Sequence, residues 1–214
     1  MTRGQAVAQP DATHAINDFT LMDTDMEGTS FSALNKHPEA AAVVQFWRDA
    51  GPKMWFAKND EFDAEFRRRF TDLHFAVARR EKDGWRDDPY GSLALVLLLD
   101  QFPRNCFRGS AHMFATDSLA RHYARGIIGS GQIEQIDDTL RPFVYLPFMH
   151  SEVLADQEYS VELYRAHARD NLKWAEEHYD IIRRFGRFPH RNEAMGRETT
   201  AEEQAFLEAG GFAG

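Results

Sequence analysis

SLALVLLLDQFPRNCFR, residues Ser92–Arg108, is the stretch on which the fold turns. Leu93 to Leu99 run without a polar break, and a helix apolar on every side belongs at the centre of a core. Upstream, Asp88-Pro89 offers a capping carboxylate followed by a first-turn proline, so the spacing predicts a helix from there to about Gln101. Pro103 biases Phe102 away from helical geometry and marks the expected end. A buried rod thus delivers Asp100, Gln101, Phe102, Pro103, Arg104 and Asn105, a knot of polar groups, to one end of the molecule.

Outward from this rod the helical period continues in both directions. Phe62, Phe66, Phe70, Leu73 and Val77 recur at the three- and four-residue spacing of one helical face. Asn59 is placed to cap that helix, Asp60, Glu61 and Asp63 open it, and Arg79, Arg80 and Lys82 precede an expected stop at Gly84. Pro38 suits the first turn of an earlier helix carrying Ala41, Ala42, Val44 and Phe46. Trp47, Trp55 and Phe56 flank the breaker Gly51-Pro52 and read as rings folded onto the core. Further on, Thr116 or Asp117 starts a helix with Leu119, Tyr123 and Ile127 on one side. Leu140 to Leu154 is helical by composition, with Pro147 expected to break or kink it. Asp156 to Phe185 keeps helical spacing, as two helices parted near Asp170-Asn171 and ended by Gly186. Thr199 with Glu202, or Thr200 with Glu203, makes a capping box for a short last helix. No stretch shows the apolar/polar alternation of strands. The class is all-α, a single domain of about eight helices over residues 37–214, preceded by an N-terminal arm over residues 1–36 without sustained periodicity.

Composition narrows the partners. The 214 residues suffice for one substantial core. Acidic residues outnumber basic ones, 34 to 25, for a net charge of −9, and no basic block suggests nucleic acid. The longest apolar run is far short of the ~20 residues of a membrane span, and the N-terminus lacks a signal-peptide layout. With Cys106 the single cysteine, no disulfide framework exists, and a cytoplasmic protein is expected.

Polar constellations recur at three places. Asp100-Gln101-Phe102-Pro103-Arg104-Asn105 follows the buried helix. Leu146-Pro147-Phe148-Met149-His150-Ser151-Glu152 follows, with Asp156-Gln157 close behind. Arg187-Phe188-Pro189-His190-Arg191-Asn192 ends the long helical stretch, before Gly196-Arg197-Glu198. These strings, together with Arg184-Phe185-Gly186 ahead of the third, resemble the DUF924 family of bacterial proteins over Val44 to Leu207. The resemblance implies an all-helical, tetratricopeptide-like superhelical arrangement, and it implies no activity. A constant 34-residue repeat signature is not present.

The first and third strings share a layout of Phe-Pro with Arg and Asn close behind. In the plain structural reading, Arg and Asn satisfy helix-end carbonyls. In the functional one, the strings meet in a polar pocket that holds a small anionic ligand or the acidic end of a peptide. Arg104, Arg187 and Arg191 would present planar forks to a carboxylate or phosphate. Asp100, Gln101, Asn105, His150, Glu152, Asp156, His190 and Asn192 would complete the pocket. An enzyme is the alternative: His150 or His190, with Glu152 or Asp156, would run acid–base or metal-assisted hydrolysis. Within a helix Glu152 and Asp156 would share a face, and the Pro147 kink would have to bring His150 to them. No H-E-x-x-H or comparable ligand spacing occurs, so neither a bound metal nor a cofactor is expected. His178 belongs to the same set of groups, whereas Ser151 has no nucleophile elbow and Cys106 reads as a small buried hydrophobe. A protein-interaction scaffold, presenting a large apolar groove, is the third reading.

Overall fold

The computed structural model describes residues 36–212, and all regular elements among them are helical. The expected N-terminal arm, but for Lys36, lies outside these residues. The chain runs through α1 (Pro38–Ala50), the one-turn α2 (Pro52–Trp55), α3 (Asp60–Ala78), α4 (Pro89–Val96), a π-helical turn (Leu97–Gln101) and α5 (Phe102–Cys106). It continues with α6 (Asp117–Gly129), α7 (Pro142–Met149), α8 (Leu154–His167), α9 (Leu172–Phe185) and α10 (Ala201–Glu208).

The apolar rod sits where its sequence requires. Leu93 to Leu99 are fully buried, with α1, α6 and α7 packed around α4. Each leucine and the valine among them contributes roughly 1.5–3 kcal/mol by leaving water. The buried Asp88 carboxylate caps α4 by accepting from the N–H groups of Tyr90 (2.8 Å) and Gly91 (3.1 Å), and also from that of Lys36 (2.6 Å). Trp47 and Trp55 fold onto the core as expected, both edge-on to Phe143 at 5.3 and 4.9 Å between ring centres.

The rod does not end at Gln101. A π-helical turn inserts one residue, so that Phe102 N–H donates to the Leu97 carbonyl, and Pro103 falls in the first turn of α5, where a missing N–H is tolerated. The helix therefore passes through the proline and carries Arg104 and Asn105 on a rigid element. Carbonyls ahead of the proline take side-chain donors. Leu98 O accepts from His74 Nδ1 (2.8 Å), Leu99 O from Thr116 Oγ1 (2.5 Å) and Asp100 O from Arg104 Nη1 (2.7 Å).

Other boundaries differ in detail. α3 is stopped by Arg80, not Gly84. Arg80 adopts the left-handed conformation (φ 64°), and Glu81 N–H closes back onto Ala76 O at 3.0 Å. Gly84 lies in the 3-10 turn Asp83–Asp87. Pro147 stands inside α7, which ends two residues later at Met149. Of the two capping boxes, Thr200 with Glu203 forms, and the 3-10 turn Arg169–Asn171 parts α8 from α9.

Gly91 provides a test of sign. Glycine within a helix ordinarily costs about 1 kcal/mol relative to alanine. Here a Cβ would stand 2.3 Å from the Trp85 carbonyl oxygen and 3.3 Å from the His37 ring. Gly91→Ala is expected to lower stability by about 1–3 kcal/mol, the cost of overpacking, instead of raising it. Chemical denaturation of the two proteins decides the sign.

Candidate functional site

The three polar strings converge at the end of the rod, and buried charge organises the convergence. Asp100, on the π-helical turn, is fully buried. Its carboxylate takes Gln101 Nε2 at 2.6 Å, lies 2.8 Å from His150 Nδ1 and stands 3.2 Å from Arg104 Nη1. Burial alone would raise its pKa, but Arg104, His150 and Gln101 outweigh that and hold the carboxyl well below the usual carboxylate range. Arg104 in turn forks onto Asp117, at the start of α6, through contacts of 2.8 and 3.0 Å. Burial opposes its charge, yet Asp100 and Asp117 together hold the guanidinium firmly protonated.

His150 closes α7 and stands at the centre. Burial and the Arg104 charge lower its pKa, against the opposing pull of Asp100, and so favour the neutral ring. An ionised carboxylate only accepts, so Nδ1 carries the proton. Nε2 is then a lone-pair acceptor. It has no hydrogen-bond partner among the described residues and keeps contact with solvent, the side chain being 15 % exposed.

The third string approaches from the other side. The 3-10 turn Pro189–Arg191 is anchored by fully buried Phe188 and carries Arg191, only 6 % exposed, between the rings of Phe188 and Phe114. Its Nη2 donates to the His150 carbonyl (3.0 Å), and Nη1 stands 3.5 Å from an Asp117 oxygen that Arg104 already holds. Its Nε is buried without a partner among the described residues, as is Nδ1 of neighbouring His190. Burial and the like charge of Arg104 bring the Arg191 pKa down to about 10, more than Asp117, Glu152 and Asp100 recover. His178, on α9, donates from Nδ1 to Trp174 O (2.8 Å). Burial and nearby His150 lower its pKa to about 3, while burial, Arg191 and His178 do the same for His190. Phe212 covers both rings, 4.4 Å from that of His178 and 5.1 Å from that of His190.

Not every residue of the strings comes here. Glu152 precedes α8 and does not share a helical face with Asp156. It pairs with Arg197 (2.7 and 2.9 Å) and accepts from Phe188 N–H (2.9 Å). Asp156 takes Ser151 Oγ (2.7 Å), Arg121 Nε (3.1 Å) and Arg125. Asn105 is drawn to Asp63 on α3 (2.7 Å). Arg187 forks onto Glu203 of α10 (2.6 and 2.8 Å), and Asn192 contacts the same carboxylate (3.2 Å). The site therefore centres on Asp100, Gln101, Arg104, His150, His190 and Arg191. Asp117 and Phe114 join it, although in the sequence Asp117 reads only as a helix start. Among the described residues no cluster of three or more His, Cys, Asp or Glu is placed to hold a metal ion. Clefts of about 470 and 460 Å³ lie over other surfaces, and none of the string residues lines them.

These features define an all-helical protein whose polar strings interlock through buried ion pairs at one end of an apolar rod. The chain belongs to the DUF924 family: residues 43–211 match the family described as a bacterial protein of unknown function. It is similar to a solved structure, a protein of unknown function from Agrobacterium tumefaciens, with 54% sequence identity and a TM-score of 0.77. That match covers 79% of this chain and 97% of the other. No curated protein matches. Among the described residues no helix is long and apolar enough to cross a membrane.

The depressed histidines fix a pH dependence. Unfolded, His178 and His190 protonate near the ordinary value of about 6.5; folded, they stay neutral down to about 3. Between those limits the unfolded chain binds more protons, so stability falls as pH falls, by up to about 1.4 kcal/mol per pH unit for each ring. Urea unfolding at several pH values across this window is expected to show that slope, made shallower by His178→Gln. Stability independent of pH there contradicts neutral burial of the rings.

Proposed function

We propose that the chain binds a small oxyanion at Arg191, beside the solvent-facing edge of His150. The observation that carries this reading is the incomplete compensation of a buried cation. Arg104 has the full fork of Asp117, whereas Arg191 has that carboxylate only at 3.5 Å and keeps a buried Nε without a described partner. A buried polar group left unpaired costs about 1–3 kcal/mol, more when charged, so an anion has free energy to gain there. A planar guanidinium between two aromatic rings has its orientation set before the ligand arrives. The arrangement suits a phosphate or carboxylate group, free or at the acidic end of a peptide. Of the arginines in the polar strings, Arg187 is committed to Glu203 and takes no part.

A second reading, an enzyme using acid–base chemistry, is favoured by the Asp100–His150 pair. A carboxylate on Nδ1 fixes the tautomer and leaves Nε2 as a base. In this reading the orienting carboxylate is Asp100, because Glu152 and Asp156 are engaged with arginines elsewhere. The scaffold reading has less support. The large exposed apolar side chains among the described residues are Phe75, Val153, Leu154 and Met195.

Thermal unfolding with added phosphate, sulfate, acetate and glycolate tests the anion site. At about ten times its dissociation constant, a ligand adds roughly 1.4 kcal/mol, which for a chain of this size raises Tm by about 3–6 °C. Arg191→Gln is expected to remove the shift. A wild-type protein indifferent to all of these anions, or a variant that responds equally, overturns the reading.

A further inference from the structure

The structure assigns this site a ligand that carries its own hydrogen-bond donor: an oxyanion with an O–H group, such as hydrogen phosphate or an α-hydroxy carboxylate. The inference rests on the anion site proposed at Arg191 and adds the second half of its recognition. Arg191 is donor-only, and its guanidinium lies against the backbone carbonyl of His150 at 3.0 Å. The ring of the same histidine holds the complementary group. Nδ1–H is committed to Asp100 at 2.8 Å, so the side chain offers only the Nε2 lone pair to an incoming molecule.

The surroundings keep that polarity. The charges of Asp100, Arg104 and Asp117 act on the ring from the π-helical turn, α5 and the start of α6, with His178 near it on α9, and Arg191 meets the backbone carbonyl of the same histidine. Gln101 and Arg104 pin the carboxylate that fixes the tautomer, and so act as positioning residues. A donor-only cation bonded to the backbone of the residue whose imidazole is acceptor-only can read two atoms of one ligand, an anionic oxygen and a hydroxyl hydrogen. Sulfate or acetate satisfies the arginine but brings an oxygen lone pair, with no proton, against Nε2. A site built to accept a hydrogen bond rejects an analogue that lacks the donor, because its own polar group is left unpaired.

Two matched pairs of anions test this: phosphate against sulfate, and glycolate against acetate. Calorimetric titration of the full chain is expected to give at least roughly 10-fold tighter binding for the hydroxyl-bearing member of one pair or both. The responding pair distinguishes a phosphate ligand from a hydroxy acid. In His150→Phe the ratio within that pair should fall to near one. Equal affinities within both pairs in the wild-type protein overturn the inference and leave the anion site standing. Absence of binding by all of these anions overturns the anion site itself. Should His150→Phe fail to fold, the wild-type protein still decides. Long-range proton–nitrogen NMR correlations are expected to show His150 as the Nδ1–H tautomer, with the Nε2 resonance moving on addition of the preferred anion. An Nε2–H tautomer in the free protein overturns the proposal.

Discussion

The buried charge of Asp100 is the constraint from which this end of the molecule follows. An ionised carboxylate cannot sit unaccompanied in an apolar core, since taking it out of water costs more than the fold could supply. The rod Leu93–Leu99 places it there nonetheless, with no exposed surface. Each neighbour then follows from the need for compensation. Gln101 and Arg104 come from the same stretch of helix, and His150 from the end of α7. Arg104 brings a second buried charge, which requires Asp117. Asp117 also faces Arg191, and Arg191 returns to the backbone of His150. The network thus ties α5, α6, α7 and the segment after α9 into one arrangement.

Backbone chemistry reinforces that arrangement. Pro103 has no N–H, and a helix running through it would leave carbonyls unpaired on the preceding turn. The π-helical turn moves the proline into a tolerated position, and the carbonyls of Leu98, Leu99 and Asp100 turn to His74, Thr116 and Arg104. Arg104 therefore serves twice, in charge compensation and in backbone pairing. His74 donates through Nδ1, so its Nε2, 2.9 Å from His112 Nε2, must accept from that ring. The interruption of the rod is where helices α3, α5 and α6 are locked to it.

How far the sequence exposes this depends on the range of each interaction. Helix existence, the Asp88 and Asn59 caps and the burial of Leu93–Leu99 rest on periodicity and neighbours within a turn, and they were legible. The end of the rod was not. Pro103 signals a stop locally, while the donors that let the helix continue come from His74 and Thr116, 24 and 17 residues from the carbonyls they serve. The strings could be recognised as one cluster by their composition, but not which members face each other. Glu152 and Asp156 would share a face on one helix, yet α8 begins at Leu154 and leaves Glu152 outside it. Asp117 was concealed by its ordinary position at a helix start. The available signal was arithmetic: Arg104 and Arg191 together need more buried negative charge than Asp100 supplies.

The arginines of the strings show why residue type alone does not locate function. Arg104, Arg187 and Arg191 occupy equivalent-looking positions, close to a Phe-Pro pair. Arg187 lies at the surface in a full fork with Glu203, which fastens α10. Arg104 is enclosed and doubly compensated, so its charge is spent within the fold. Arg191 is as enclosed as Arg104 but shares its carboxylate, and burial together with the like charge beside it makes its protonated form less favourable. A structural arginine is expected to resemble the first two. The third has a shared carboxylate at 3.5 Å and an unused Nε donor, and it bonds the backbone of the histidine whose tautomer a buried carboxylate fixes. In the proposed reading, that asymmetry between a fully forked cation and one with a shared, longer pairing is what distinguishes the anion site from a structural ion pair.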